Sequence, residues 1–164
     1  MPPAAMRMTG VPDVSRLPCD RLLDSGGAEY MRRYYLSHGR GPQTRFHQIL
    51  ADDPDRYWHD HPWDYTTRLL SGAGYIEHTP SGAVSYRPGD VLVRKAGQLH
   101  RLELIDGPVW TYFVTGRWKR AWGFMTERGW IDHRAMRSGT VAGCERMTGG
   151  NGDGRHPEPS SRAW

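Results

Sequence analysis

The chain has 164 residues, enough for one domain with a substantial core. Lys plus Arg total 22 against 18 Asp plus Glu, a formal net charge of +4 with no long basic run, which fits a solvated surface better than a nucleic-acid footprint. Cys19 and Cys144 suggest neither a disulfide framework nor a thiolate metal site, no apolar leader opens the chain, and no stretch nears the ~18 apolar residues of a membrane span, so a soluble cytoplasmic protein is expected.

Mean hydropathy is −0.72, and the ends account for part of that polarity. Residues 1–15 read as a flexible N-terminus. Residues 138–164, SGTVAGCERMTGGNGDGRHPEPSSRAW, are rich in Gly, Ser and Pro and read as a disordered tail, because they bury too little to offset ordering entropy. Residues 16–137 are the expected domain.

Within it, residues 19–26 suggest one or two helical turns. Short aromatic and β-branched runs follow at 30–36, 45–50, 64–70, 74–78, 90–94, 100–104 and 109–116. Turn-forming stretches such as SHGRGPQ, ADDPD, SGAG, RPGD, KAGQ and IDGP separate them. Strand-length pieces at such intervals predict an all-β sandwich or barrel. The 109–116 strand, VWTYFVTG, is the most apolar and is expected to be central, and the 30–36 strand is a candidate sheet edge for dimerisation. Trp118, Trp122 and Trp130 are expected to anchor the segment after it on the barrel surface.

Chemistry concentrates in YWHDHPWDY, residues 57–65. On a strand, residues i and i+2 share a face, so His59 and His61 can aim two imidazoles at one point. Two polar residues on an exposed strand would look the same. His100 strengthens the metal reading, because it opens a strand just after the tight KAGQ turn and can meet the pair across a barrel. Imidazoles suit Fe, Zn, Ni and Cu alike.

These residues resemble the two motifs of the cupin superfamily. His59 and His61 match the His-x-His pair and Gly72 the following glycine of the first motif; Gly89, Gly97 and His100 match the second with its spacing. Thr66 stands where the family has a glutamate ligand, Lys95 replaces a proline, Leu104 replaces an asparagine, and the leading glycine is missing. The longer HDHPW pattern also resembles small bacterial and phage cupins. The resemblance implies a cupin-type β-barrel, a jelly roll, with His59, His61 and His100 holding a divalent metal, Fe(II) favoured over Zn, Ni or Cu. Three-histidine cupin centres resemble those of thiol and β-diketone-cleaving dioxygenases. An Fe(II) dioxygenase or oxygenase acting on a small organic molecule is therefore expected. The alternatives are a non-oxidative Zn or Ni isomerase, lyase or hydrolase, and a non-catalytic small-ligand binder. A homodimer is implied; nucleic acid and membrane are not.

Asp64 is the nearby acid that could replace the missing carboxylate as a ligand; strand alternation from His61 instead points it outward. His47, Tyr65 and Tyr112 are candidate catalytic residues, and His47 also fits a partly buried strand histidine. Trp63, Arg68 and Arg101 are candidate substrate-binding residues, the arginines through a bidentate contact to a carboxylate or phosphate, or else as surface ion pairs.

Overall fold

A computed structural model describes residues 9–37, 39, 41–54, 57–135 and 139–144. The elements are strands β1 (Cys19–Leu23), β2 (Glu29–Tyr35), β3 (Thr44–Ile49), β4 (Trp58–His59), β5 (Tyr65–Ser71), β6 (Tyr75–Thr79) and β7 (Gly82–Tyr86). They continue with β8 (Val91–Arg94), β9 (Arg101–Leu104), β10 (Val109–Thr115), β11 (Gly123–Thr126), β12 (Gly129–Asp132), a 3-10 turn at His133–Ala135, and β13 (Gly139–Ala142). One seven-stranded sheet runs β13-β1-β2-β3-β10-β5-β8, with every pairing antiparallel. Two three-stranded sheets, β12-β11-β4 and β7-β6-β9, face it. A backbone bridge between His59 and His100 joins them into a second wall. Two antiparallel walls around a central cavity form the expected jelly-roll barrel.

Alternation decides what each wall presents. On β5, Tyr65, Thr67 and Leu69 are buried and face inward, whereas Thr66 and Arg68 are half-buried and face the other way. The strand β10 is buried on both faces, as a central strand should be. Its Thr111, Phe113 and Thr115 face the cavity, while Trp110 and Tyr112 join Tyr34, Phe46 and Leu70 in a cluster on the far side of the same sheet. A second cluster, Leu22, Met31, Ile49, Leu69, Tyr75, Leu92 and Val109, fills the barrel floor. Fully burying one such side chain stabilises by about 1.5–3 kcal/mol.

The outer cluster explains several departures from the sequence expectations. Val14, Leu17, Cys19 and Cys144 pack against it. Residues 9–15 are therefore held to the sheet, with Gly10 N donating to Leu70 O at 2.7 Å; residues 1–8 lie outside the described residues. Residues 19–23 form a strand and not a helical turn, because β2 and β13 supply ladder partners on both sides. Pairing on both sides also makes β2 interior, so it is not the free edge proposed for dimerisation.

The expected tail, 138–164, begins as structure: β13 pairs with β1, and Cys19 and Cys144 form a disulfide with a Cα–Cα distance of 5.6 Å. Nothing in local sequence signals that pairing across 125 residues. Residues 145–164 lie outside the described residues. No helix among the described residues is long and apolar enough to cross a membrane.

Candidate metal centre

Backbone geometry brings the three histidines together. His59 ends β4, His61 follows two residues later, and His100 immediately precedes β9. His59 N donates to His100 O and His100 N to His59 O, both at 2.9 Å, which sets the two Cα atoms opposite each other. Gly97 N donates to His61 O at 3.1 Å, tying the KAGQ turn to the third histidine. Gly97 sits at φ +80° against the Arg120 guanidinium, a place where a Cβ would collide.

The side chains converge. His61 Nε2 and His100 Nε2 lie 3.0 Å apart, and one donor nitrogen from each of His59, His61 and His100 falls within 4.8 Å of the others. Adjacent imidazole nitrogens bound to one ion at about 2.0–2.1 Å sit roughly 3 Å apart, so the set fits a divalent metal. Burial above all holds the His59 and His61 imidazoles well below their ordinary pKa. They are neutral at pH 7, the form that binds metal.

The carboxylate of this site stands at Glu77 on β6. Glu77 is 2% exposed. Its Oε1 accepts from His100 Nδ1 at 2.9 Å and from Arg94 Nε at 3.1 Å, and its Oε2 pairs with Arg94 Nη2. The contact assigns the His100 proton to Nδ1 and leaves the Nε2 lone pair facing His61. Burial raises the Glu77 pKa, but hydrogen bonds from His100 and Arg94 outweigh it and hold the carboxyl at about 2. On His59, Nδ1 lies 3.8 Å from Asp53, which also accepts from Leu102 N at 2.7 Å. An acid alternating with buried Tyr75 in the strand YIEHT was the only trace of Glu77 in the sequence.

Some sequence candidates reach the site. Tyr65 is buried, with its hydroxyl 3.4 Å from His100 Nδ1. It occupies the inward position of β5, whereas Thr66 faces away beside Val93 and Val114. Trp63 stacks on His61 at 4.7 Å. His47 lines the same cavity, stacked on Phe113 at 4.5 Å. Trp118 and Trp122, expected only to anchor the surface, also line it.

Four candidates do not. Asp64 accepts from Ala96 N at 2.9 Å and Lys119 Nζ at 2.7 Å, at the barrel's outside, and is no ligand. Tyr112 belongs to the outer cluster. Arg68 pairs in register with Tyr112 and shares its outward face. Arg101 pairs with His78, one residue out of phase with inward Leu102. In each case strand alternation excludes the residue from the cavity. Arg45 and Thr111, not singled out in the sequence, do line it.

No protein-family profile and no curated protein matches the sequence. Solved structures do. A sugar phosphate isomerase of the cupin superfamily from Silicibacter pomeroyi is similar with a TM-score of 0.54 and 12% identity, over 74% of this chain and 90% of that one. A cupin-2 domain from Rhodospirillum rubrum is similar with a TM-score of 0.50 and 14% identity, over 61% and 68%. A structure of DMSP lyases aligns with a TM-score of 0.44 and 15% identity over 52% of this chain, which spans only 47% of that one. The chain has the cupin fold. Within that fold, its three-histidine group can hold a divalent metal.

Proposed function

We propose that this chain is a metal-dependent cupin enzyme, most specifically an Fe(II) dioxygenase or oxygenase, acting on a small organic molecule at His59, His61 and His100. The observation that carries the reading is the convergence of three imidazoles on one point, with Glu77 fixing the His100 tautomer so that its free nitrogen faces the others. Three protein ligands with open positions make a catalytic arrangement more than a closed structural one. Bound there, Fe(II) would supply dioxygen activation, and Zn or Ni a Lewis acid.

The chain's own residues prepare the rest. A cavity of about 320 Å³ lies beside the histidines, within the size range of small-ligand sites. Trp63, Phe113, Trp122 and Phe124 wall it and limit water. Burial holds the Tyr65 hydroxyl well above its ordinary pKa, so it stays protonated and can donate to a bound substrate.

Metal analysis followed by oxygen uptake tests the reading. Purified protein is expected to carry about one metal per chain, and Fe(II)-loaded protein to consume oxygen with one of cysteine, acetylacetone or related thiols and diketones. Identical products with and without air would assign Zn or Ni chemistry instead. Metal content that survives His100→Ala would sink the three-histidine site.

A further inference from the structure

The wall facing the histidines carries a polar group that the metal reading does not use. Strand register sets Arg33, His47 and Thr111 side by side across β2, β3 and β10 on the inner face. The next row is Tyr35, Arg45 and Phe113. Arg45, His47 and Thr111 are 4%, 6% and 2% exposed, and all three line the cavity. Arg45 Nε, His47 Nε2 and Thr111 Oγ1 are buried with no hydrogen-bond partner among the described residues.

Such groups are costly, since a buried unpaired donor loses about 1–3 kcal/mol, and here three crowd one wall. Arg45 has no carboxylate within ion-pair distance among the described residues. Its guanidinium donates to the Tyr35 hydroxyl, which in turn donates to Asp20 at 2.8 Å, so only Nε is left without a partner among the described residues. Aromatic rings surround the guanidinium: its central carbon is 5.3 Å from the Phe113 ring, 5.5 Å from Trp63 and 6.0 Å from Tyr35. Burial, reinforced by the charge of Arg33, pushes the Arg45 guanidinium down to about 9, against the smaller opposing pull of Tyr35 and Asp20.

We propose that the cavity binds a small organic acid whose carboxylate is held by Arg45, His47 and Thr111 while its other end lies at the three-histidine centre. A guanidinium and a hydroxyl donate directly, and neutral imidazole donates when its proton is on Nε2; an oxygen anion accepts from all three. A planar monoanion matches the guanidinium fork. A phosphate dianion would bring a second charge into a buried cavity that already contains Asp53. The span is short, because Trp63 touches both sites, stacked at 4.7 Å on His61 and 5.5 Å from Arg45. Placement of the acid's far end rests on the metal-enzyme reading; capture of its carboxylate does not.

Calorimetric titration of the full chain, with and without Co(II), tests this with propionate, benzoate and 3-mercaptopropionate. Each is compared with its neutral amide and with inorganic phosphate. At least one acid is expected to bind 10-fold or more tightly than its amide. Arg45→Met is expected to abolish that preference, Arg45→Lys to keep part of it, and both to bind one Co(II) as the wild type does. Arg45→Met should also melt no lower than the wild type, because it removes a buried cation that no carboxylate pairs directly; a purely structural arginine would lower the melting point. Should Arg45→Met not fold, Thr111→Val serves, with a loss of a few-fold in acid binding.

His100→Ala is expected to lose Co(II) yet retain the acid preference, which separates this proposal from the metal reading. Acids that bind no better than amides, phosphate preferred over every acid, or a preference intact in Arg45→Met would each overturn it.

Discussion

The two walls of the barrel handle buried polarity in opposite ways. On the histidine wall a chain of hydrogen bonds runs behind the site: His100 donates to Glu77, Glu77 accepts from Arg94, and Arg94 donates to Tyr86. On the facing wall Arg45, His47 and Thr111 each leave an atom unpaired. A satisfied network rigidifies its members and fixes their geometry, which is what a metal site needs. An unsatisfied one costs stability and is tolerated where a ligand completes it. The comparison separates groups that hold themselves in place from groups arranged for something else.

Four changes break or sharpen the contrast. His100→Ala removes a ligand and is expected to lower metal affinity by more than about 100-fold, read by metal analysis after dialysis. Glu77→Gln leaves half-buried Arg94 without its counter-charge. It should cost about 2 kcal/mol in denaturant unfolding and weaken metal binding roughly 10-fold.

Acid attacks the same network. The folded Glu77 carboxyl lies at about 2 against an ordinary 4.5, so its contribution is complete above pH 4.5 and is lost as pH falls toward 2. Metal-free protein should therefore lose stability across that window, and Glu77→Gln should show a flatter profile. Thr111→Val on the other wall is expected to change stability by less than about 0.5 kcal/mol, or to raise it, because its hydroxyl has no partner to lose. A cost like that of Glu77→Gln would erase the distinction. The smallest effect should come from Asp64→Asn, with metal content unchanged, since Asp64 pairs outside the barrel with Lys119.

Seven of the strands were legible in the sequence because each is a short β-branched or aromatic run between turn residues, and the HDH and KAGQLH stretches marked the metal group through period-two spacing and a glycine turn. Misplaced candidates share one cause. Tyr112, Arg68 and Arg101 are plausible by residue type, but which face of a strand is interior depends on what covers each side. The outer face of β10 is itself a core, closed by residues from both ends of the chain, so hydrophobicity marked neither face as the cavity. Glu77 escaped notice for a related reason: it is 23 residues from His100 in sequence and meets it only through the pairing of β6 with β9.

The sequence by itself determined seven of the thirteen described strands, the barrel class and the identity of the three histidines, because these rest on local periodicity and on spacing within single turns. Tertiary structure alone decided the rest. It placed Glu77 and not Asp64 behind the histidines, joined Cys19 to Cys144, and set Arg45, His47 and Thr111 in one cavity wall. Each depends on register between strands distant in the chain, where a shift of one residue would send every side chain to the opposite face.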